Sequence, residues 1–257
     1  MIAKHRSEDS GSGLQRRKPR ARLRSRGALA IVSLAAMGCA APPPRVESPA
    51  VEPGARWTEL FSPARQSAWR KADFYGGTEP RFAGEELTLP AGDNLSGAVW
   101  TGPLPDGDYE IVVEAKRVEG HDIFCGLTFP IAGSHVSLIL GGWGGSLCGI
   151  SSFDGFDASE NDTTKQKDFT NGVWYRVRLR VISGSIEAWV AQVEASGPSA
   201  EELLVDVSTE GRKLDTRFEM RQAKPLGLAT WRTTAVLRGL KWRHISAQEI
   251  ESAAATQ

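Results

Sequence analysis

The sequence predicts an all-β protein, an antiparallel two-sheet β-sandwich running from Trp57 to Ile245. Three observations carry this. Apolar and polar residues alternate with a period of two through that region, as strands with one packed face require. The 27 Gly and 14 Pro punctuate many short extended pieces, the composition of a sandwich or barrel. No long amphipathic helix and no repeat of about 20–50 residues is found.

Tyr109-Glu-Ile-Val-Val-Glu-Ala-Lys116 sets Tyr109, Ile111, Val113 and Ala115 on one face and Glu110, Glu114 and Lys116 on the other. Tyr175-Arg-Val-Arg-Leu-Arg-Val181 turns Arg176, Arg178 and Arg180 outward. That stripe reads as a wet face paired with Glu110 and Glu114 or, alternatively, as an anionic-glycan binder. Between these strands, Ile123 to Phe129, His135 to Leu140 and Leu147 to Ser152 form a meander. Its joints are the turn-like Pro130–Gly133 and Gly141-Gly-Trp-Gly-Gly145. Further strands are expected at 60–61, 87–89, 97–101, 186–190, 203–207, 226–230 and 236–242. Ser199 to Leu204 reads as a short helical turn or the lip of a strand, and the tail 246–257 as frayed or weakly helical.

The zero net charge hides an asymmetry. Residues 1–26 hold nine Lys and Arg against two acids, leaving 22 basic and 29 acidic residues beyond, a net of −7. Such a balance excludes a nucleic-acid footprint. The basic arm and the apolar run Gly27 to Gly38, too short for the ~20 residues that span a bilayer, read as a signal peptide over 1–38. Ala36-Met-Gly-Cys39 resembles the lipobox of bacterial lipoproteins, which implies lipidation of Cys39. The other reading is cleavage near Ala40-Ala41 with Cys39 discarded. A Pro-rich tether fills 39–56. The expected location is the periplasmic side of a bacterial envelope, as an outer-membrane lipoprotein held to the membrane by its lipid.

Cys125 and Cys148 fall on the first and third strands of the meander. Two strand spacings, roughly 9.6 Å, exceed the ~7 Å Cα limit for a bridge, so two buried free thiols are expected.

Several segments follow one another in order: Trp57-Thr-Glu-Leu-Phe61 with Trp69, Gly107-Asp-Tyr-Glu-Ile-Val-Val113, Trp174 to Leu179 before Ile186-Glu-Ala-Trp189, and Pro225-Leu-Gly-Leu-Ala229 before Leu237-Arg-Gly-Leu240. Together they resemble the 3-keto-disaccharide hydrolase-like domains of the concanavalin A-like lectin/glucanase superfamily. The resemblance spans about three quarters of the chain and implies a concanavalin A-like jelly roll acting on a glycoside. Two departures stand out. Val193 to Glu201 is an insertion, and the Glu-x-Asp-x-x-Glu catalytic strand of laminarinase-like relatives is missing.

The segment Asp154-Gly-Phe-Asp157-Ala-Ser-Glu160-Asn161 follows a strand and is expected at the rim of the concave sheet. Asp154 and Asp157, with His135 on the opposite face from Val136 and Leu138, are candidates for proton transfer; Glu160 and Asn161 are candidates for binding hydroxyls. The alternative is a solvated loop of Asx turns beside a surface histidine. Its oxygen ligands could suit calcium, but the EF-hand order is absent, and no metal or cofactor is expected. Trp143, between glycine pairs, is either a stacking platform for sugar C–H faces or a plug over the core. Trp231-Arg232 is a second aromatic-plus-cation pair. The chemistry left open is a carbohydrate-processing enzyme or a non-catalytic glycan-binding module.

Overall fold

The computed structural model describes residues 56–254. Within them the strands in chain order are β1 (Thr58–Glu59), β2 (Trp69–Lys71), β3 (Arg81–Ala83), β4 (Glu86–Leu89), β5 (Leu95–Trp100), β6 (Tyr109–Glu119), β7 (Cys125–Ile131) and β8 (Ser134–Gly142). They continue as β9 (Leu147–Ser151), β10 (Lys165–Gln166), β11 (Trp174–Ile182), β12 (Ser185–Glu194), β13 (Gly197–Pro198), β14 (Glu202–Ser208), β15 (Leu226–Trp231) and β16 (Thr234–His244). One α-helix, α1 (Ala247–Ala254), and two 3-10 turns, Pro63–Ala68 and Phe218–Ala223, complete the secondary structure. The expected signal peptide, Cys39 and the tether up to residue 55 lie outside the described residues.

All pairings are antiparallel and sort into two sheets. One runs β13-β12-β11-β6-β16-β4-β3, with β14 on β12 and β1 on β16; the other runs β10-β9-β8-β7-β15-β5-β2. Tyr109, Ile111, Val113 and Ala115 on β6, and Tyr175, Val177, Leu179 and Val181 on β11, bury themselves against Leu127, Phe129, Leu138, Leu140 and Leu228 of the facing sheet. The inward sets are those the alternation predicts. Each large apolar side chain so buried contributes about 1.5–3 kcal/mol.

The meander forms as expected. Ala132 and Gly133, both at positive φ (48° and 74°), close the β7–β8 hairpin at the Ile131–Ser134 pair, the requirement of a type I′ turn. Cys125 and Cys148 are buried and free. Burial pushes their thiols up to about 12 and about 11 respectively. Ser199 to Leu204 resolves as the lip of β14, and the insertion after β12 folds back as β13. Residues 247–254 are helical, started by a capping box in which the Ser246 and Glu249 side chains each engage the other's backbone N–H.

The expected pairing of the arginine stripe with Glu110 is present, but the wet-face expectation fails for Arg178 and Arg180. Arg178 and Arg180 are only 4% and 6% exposed. Arg178 donates to Glu201 of the insertion at 2.6 Å, lies 3.7 Å from Glu110 and stacks 3.8 Å over Trp189. Glu110 also accepts from Arg243, which in turn reaches Glu249 of α1. Glu114 pairs with Arg238 instead of the stripe. The insertion and α1 supply the carboxylates that let guanidinium groups sit under cover.

A second apolar layer covers the outer face of the β9-β8-β7-β15-β5 sheet. Phe74, Leu95, Val99, Ile139, Met220 and Ala223 pack there. The 3-10 turn 218–223 approaches so closely because Gly126 and Gly227 lie beneath it. A Cβ on Gly227 would come within 2.3 Å of the Ala223 carbonyl oxygen, and one on Gly126 within 3.1 Å of the Met220 methyl. The turn covers one part of this face and leaves the rest as a groove.

Candidate functional site

The groove has a volume of about 240 Å³. Its floor is Leu95 at the start of β5, Ile123 before β7, Ile139 of β8 and Met220 of the 3-10 turn. Trp143 and Trp231 also line it. Asp122, Ser151, Arg217 and Glu219 supply polar groups around the apolar floor.

Trp143 sits in the β8–β9 turn at φ 48° and is 43% exposed. Its loop is pinned from two sides: the Gly144 N–H donates to Asp122 Oδ2 (3.1 Å), and Arg117 Nη1 donates to the Gly145 carbonyl (3.4 Å). Gly145 cannot carry a side chain, since its Cβ would lie 2.7 Å from the His121 carbonyl oxygen. Trp231 ends β15, and its backbone N–H donates to the Ile123 carbonyl at 2.9 Å. The half-buried Trp231 is therefore placed by the sheet itself.

Arg217 organises the charged side. It contacts Asp157 at 2.7 Å and Glu219 at 2.8 Å, and its guanidinium lies 5.7 Å from the Trp143 ring centre. Burial works against the Arg217 charge, but Glu219 and Asp157 more than offset it and hold its pKa above the ordinary value. The Arg217 hydrogen bond holds the Glu219 carboxyl below the usual carboxylate range. Glu219 thus favours its ionised form, the opposite of what a general acid near neutrality needs.

The structure brings together only some of the residues singled out from the sequence. Trp143 and Trp231 face one groove. Asp157 is not part of the lining but touches two residues that are, accepting from Ser151 Oγ (3.1 Å) and pairing with Arg217. Glu160 is exposed and acts on Arg217 only through its charge. Asn161 is a staple of the loop. Its amide nitrogen donates to the Ile150 and Asp157 carbonyls and its oxygen accepts from the Thr163 N–H and hydroxyl, so its polar atoms are taken up by the chain. Asp154 accepts from Arg212 Nε (2.6 Å) and the Lys213 N–H (2.7 Å) and is not part of the groove lining. His135 lines a separate cavity of about 480 Å³ with Tyr109, Pro130 and Gly133, where burial and then Lys224 lower its pKa. Arg232 lies 5.8 Å from the Trp231 ring but donates to the Asp93 carbonyl and Asn94 Oδ1. Asp154, Asp157 and His135 therefore do not converge on one substrate position.

Asp122, Arg217, Glu219 and the floor residues were not foreseen. One signal was available: the run Leu138-Ile139-Leu140 is apolar on both faces, which means that both faces are covered. No group of three or more His, Cys, Asp or Glu able to hold a metal ion occurs among the described residues.

No family model and no curated protein matches the chain. Solved structures do. The VIP36 exoplasmic/lumenal domain, in a Ca2+/Man3GlcNAc-bound form, superposes with a TM-score of 0.50 at 12% identity, covering 74% of this chain and 89% of that one. This chain has the concanavalin A-like β-sandwich fold. The Crh5 transglycosylase in complex with NAG (TM-score 0.48, 10% identity, 75% and 84% covered) is also similar. So is the carbohydrate-binding module CBM66 from Bacillus subtilis (0.45, 12%, 68% and 95%).

Proposed function

We propose that the chain binds carbohydrate in the groove between Trp143 and Trp231. One observation carries the reading: two indoles line one groove together with an apolar floor and the polar groups of Asp122, Ser151, Arg217 and Glu219. Sugars present apolar C–H faces and equatorial hydroxyls, and this arrangement meets both, stacking the first and hydrogen-bonding the second. The Man3GlcNAc named with the VIP36 domain agrees with that choice of ligand class.

The resemblance to 3-keto-disaccharide hydrolase-like domains offers a finer reading, processing of a glycoside at the same groove. Binding is favoured, because Glu219 is pushed toward its ionised form and Asp157 is already ion-paired. Glycan-array binding followed by titration calorimetry tests the groove. Trp143→Ala or Trp231→Ala should weaken binding by about tenfold or more, at ~1–3 kcal/mol for each lost stacking and burial contact, with little change in melting temperature. Unaltered affinity in both variants would sink the groove. Turnover of 3-keto-glucosides that is abolished by Glu219→Gln would replace the binding reading with the enzymatic one. Export and lipid attachment through Cys39 belong to the same proposal. Metabolic palmitate labelling that persists in Cys39→Ser would remove the anchor from it.

A further inference from the structure

Charge around the groove is unevenly distributed. Among the residues that line the groove, Asp122 and Glu219 stand against one guanidinium, Arg217, already held at 2.7 Å by Asp157 and 2.8 Å by Glu219. The exposed Glu160 adds a further negative field on the same side. The other nearby cations are turned elsewhere. Arg117, whose charge acts on Asp122, spends its donors on Asn171 and on the Gly145 and Phe169 carbonyls. Arg232 donates to the Asp93 carbonyl and Asn94, and Arg221 lies 3.7 Å from Asp215 and 5.4 Å from the Phe218 ring. No cation that lines the groove is left for an acidic ligand.

The carboxylates retain acceptor capacity. Asp122 uses one oxygen for the Ile123 N–H and the other for the Gly144 N–H, and an ionised carboxylate offers about four lone-pair sites. Cations are also attracted to indole faces within about 6 Å, and Arg217 at 5.7 Å shows that the Trp143 ring tolerates one. A ligand ammonium would meet carboxylate and indole together, whereas a ligand carboxylate or sulfate would meet like charge. We infer that the groove selects amino-sugar glycans bearing a free ammonium group and excludes uronate or sulfated ones. This rests on the proposal that the groove binds carbohydrate.

The test is calorimetry on the full chain with three oligosaccharides of equal length: glucosamine, N-acetylglucosamine and galacturonate. It is run at mildly acidic pH, where the amine is protonated and the carboxylates are not. The glucosamine oligomer should bind tightest, with galacturonate weaker by about tenfold or more. Added salt should shrink that gap by screening. In Asp122→Asn/Glu219→Gln the gap should fall to about threefold or less, while circular dichroism shows the fold retained. Galacturonate binding as well as glucosamine, or an unchanged gap in the folded double variant, overturns the charge selection and leaves the groove standing. Failure of all three to bind, with no glycan found on an array, overturns the groove reading and this inference together. If the double variant does not fold, the salt dependence of the wild-type gap decides: a gap indifferent to salt overturns the inference.

Discussion

Arg178 shows what alternation can and cannot say about a single residue. Its parity in Tyr175–Val181 places it on the outer face of the sheet, and it is there. Its cover, Trp189 and Glu201, comes from the next strand and the insertion beyond it, and burial of an outward face depends on such distant cover. The residue now holds Glu110 and Glu201, whose side chains are 2% and 14% exposed. Removing one partner of a buried pair costs about 3–5 kcal/mol, since the remaining charge is stranded. Arg178→Ala should therefore lower the urea midpoint markedly, whereas Arg65→Ala, on the exposed 3-10 turn, should barely move it. Equal midpoints for the two variants would refute the buried network. The thiols give a second check at this scale. With pKa values pushed up to about 12 and about 11, Cys125 and Cys148 hold almost no thiolate at neutral pH, and thiolate is the reactive form. A disulfide reagent should label them only after denaturation, and rapid labelling of the native protein would contradict their burial.

Among the elements, the long strands were legible and the 3-10 turn 218–223 was not. β6, β11 and the β7–β9 meander each bury one face, so their side chains alternate along enough residues to be read. Phe218 to Ala223 has no such period. It is held by Met220 and Ala223 resting on a sheet surface made flat by glycine, and nothing local in Phe-Glu-Met-Arg-Gln-Ala announces that partner. Gly227 is the place to test the contact. A methyl there would lie 2.3 Å from the Ala223 carbonyl oxygen and 2.9 Å from that of Ala98, and both are backbone atoms with little room to yield. Gly227→Ala should destabilise by about 1–3 kcal/mol, the usual cost of overpacking, and displace the turn that carries Arg217 and Glu219. Chemical denaturation reads the first effect and loss of glycan affinity the second. A variant as stable as wild type, with unchanged affinity, would show that the turn does not rest on this glycine.

At the scale of the whole molecule, the groove exists because β15 inserts between β7 and β5, bringing Leu95, Trp143, Arg217 and Trp231 together from distant parts of the chain. Alternation gives the strands but not their order in a sheet, so Trp143 and Trp231 could be suspected singly and not as a pair. The same long-range assembly sets the response to acid. Arg212 holds Asp154 and Asp162 below their ordinary range through hydrogen bonds, the Lys213 N–H contributing most for Asp154, and Arg217 does the same for Glu219. For Glu249 burial pushes upward, but the Ser246 N–H and Arg243 outweigh it and the net direction is down. Groups depressed in the folded state stabilise it above their unfolded pKa, about 4, and lose that contribution as pH falls through the folded value. Glu187, raised mainly by burial, works in the other direction: its contribution is present at low pH and lost as pH rises through its folded value. His135, lowered by burial and then by Lys224, withdraws stability as pH falls below the free-imidazole value, about 6.5. Together these groups predict a melting temperature that declines slightly below neutrality and falls steadily below about pH 4, as the four depressed carboxylates are protonated. Arg212→Gln should flatten part of that fall, because Asp154 and Asp162 then titrate nearer their unfolded values. Calorimetry across this range checks both, and a melting temperature that climbs on acidification would mean that the ion pairs linking distant loops do not hold the folded state.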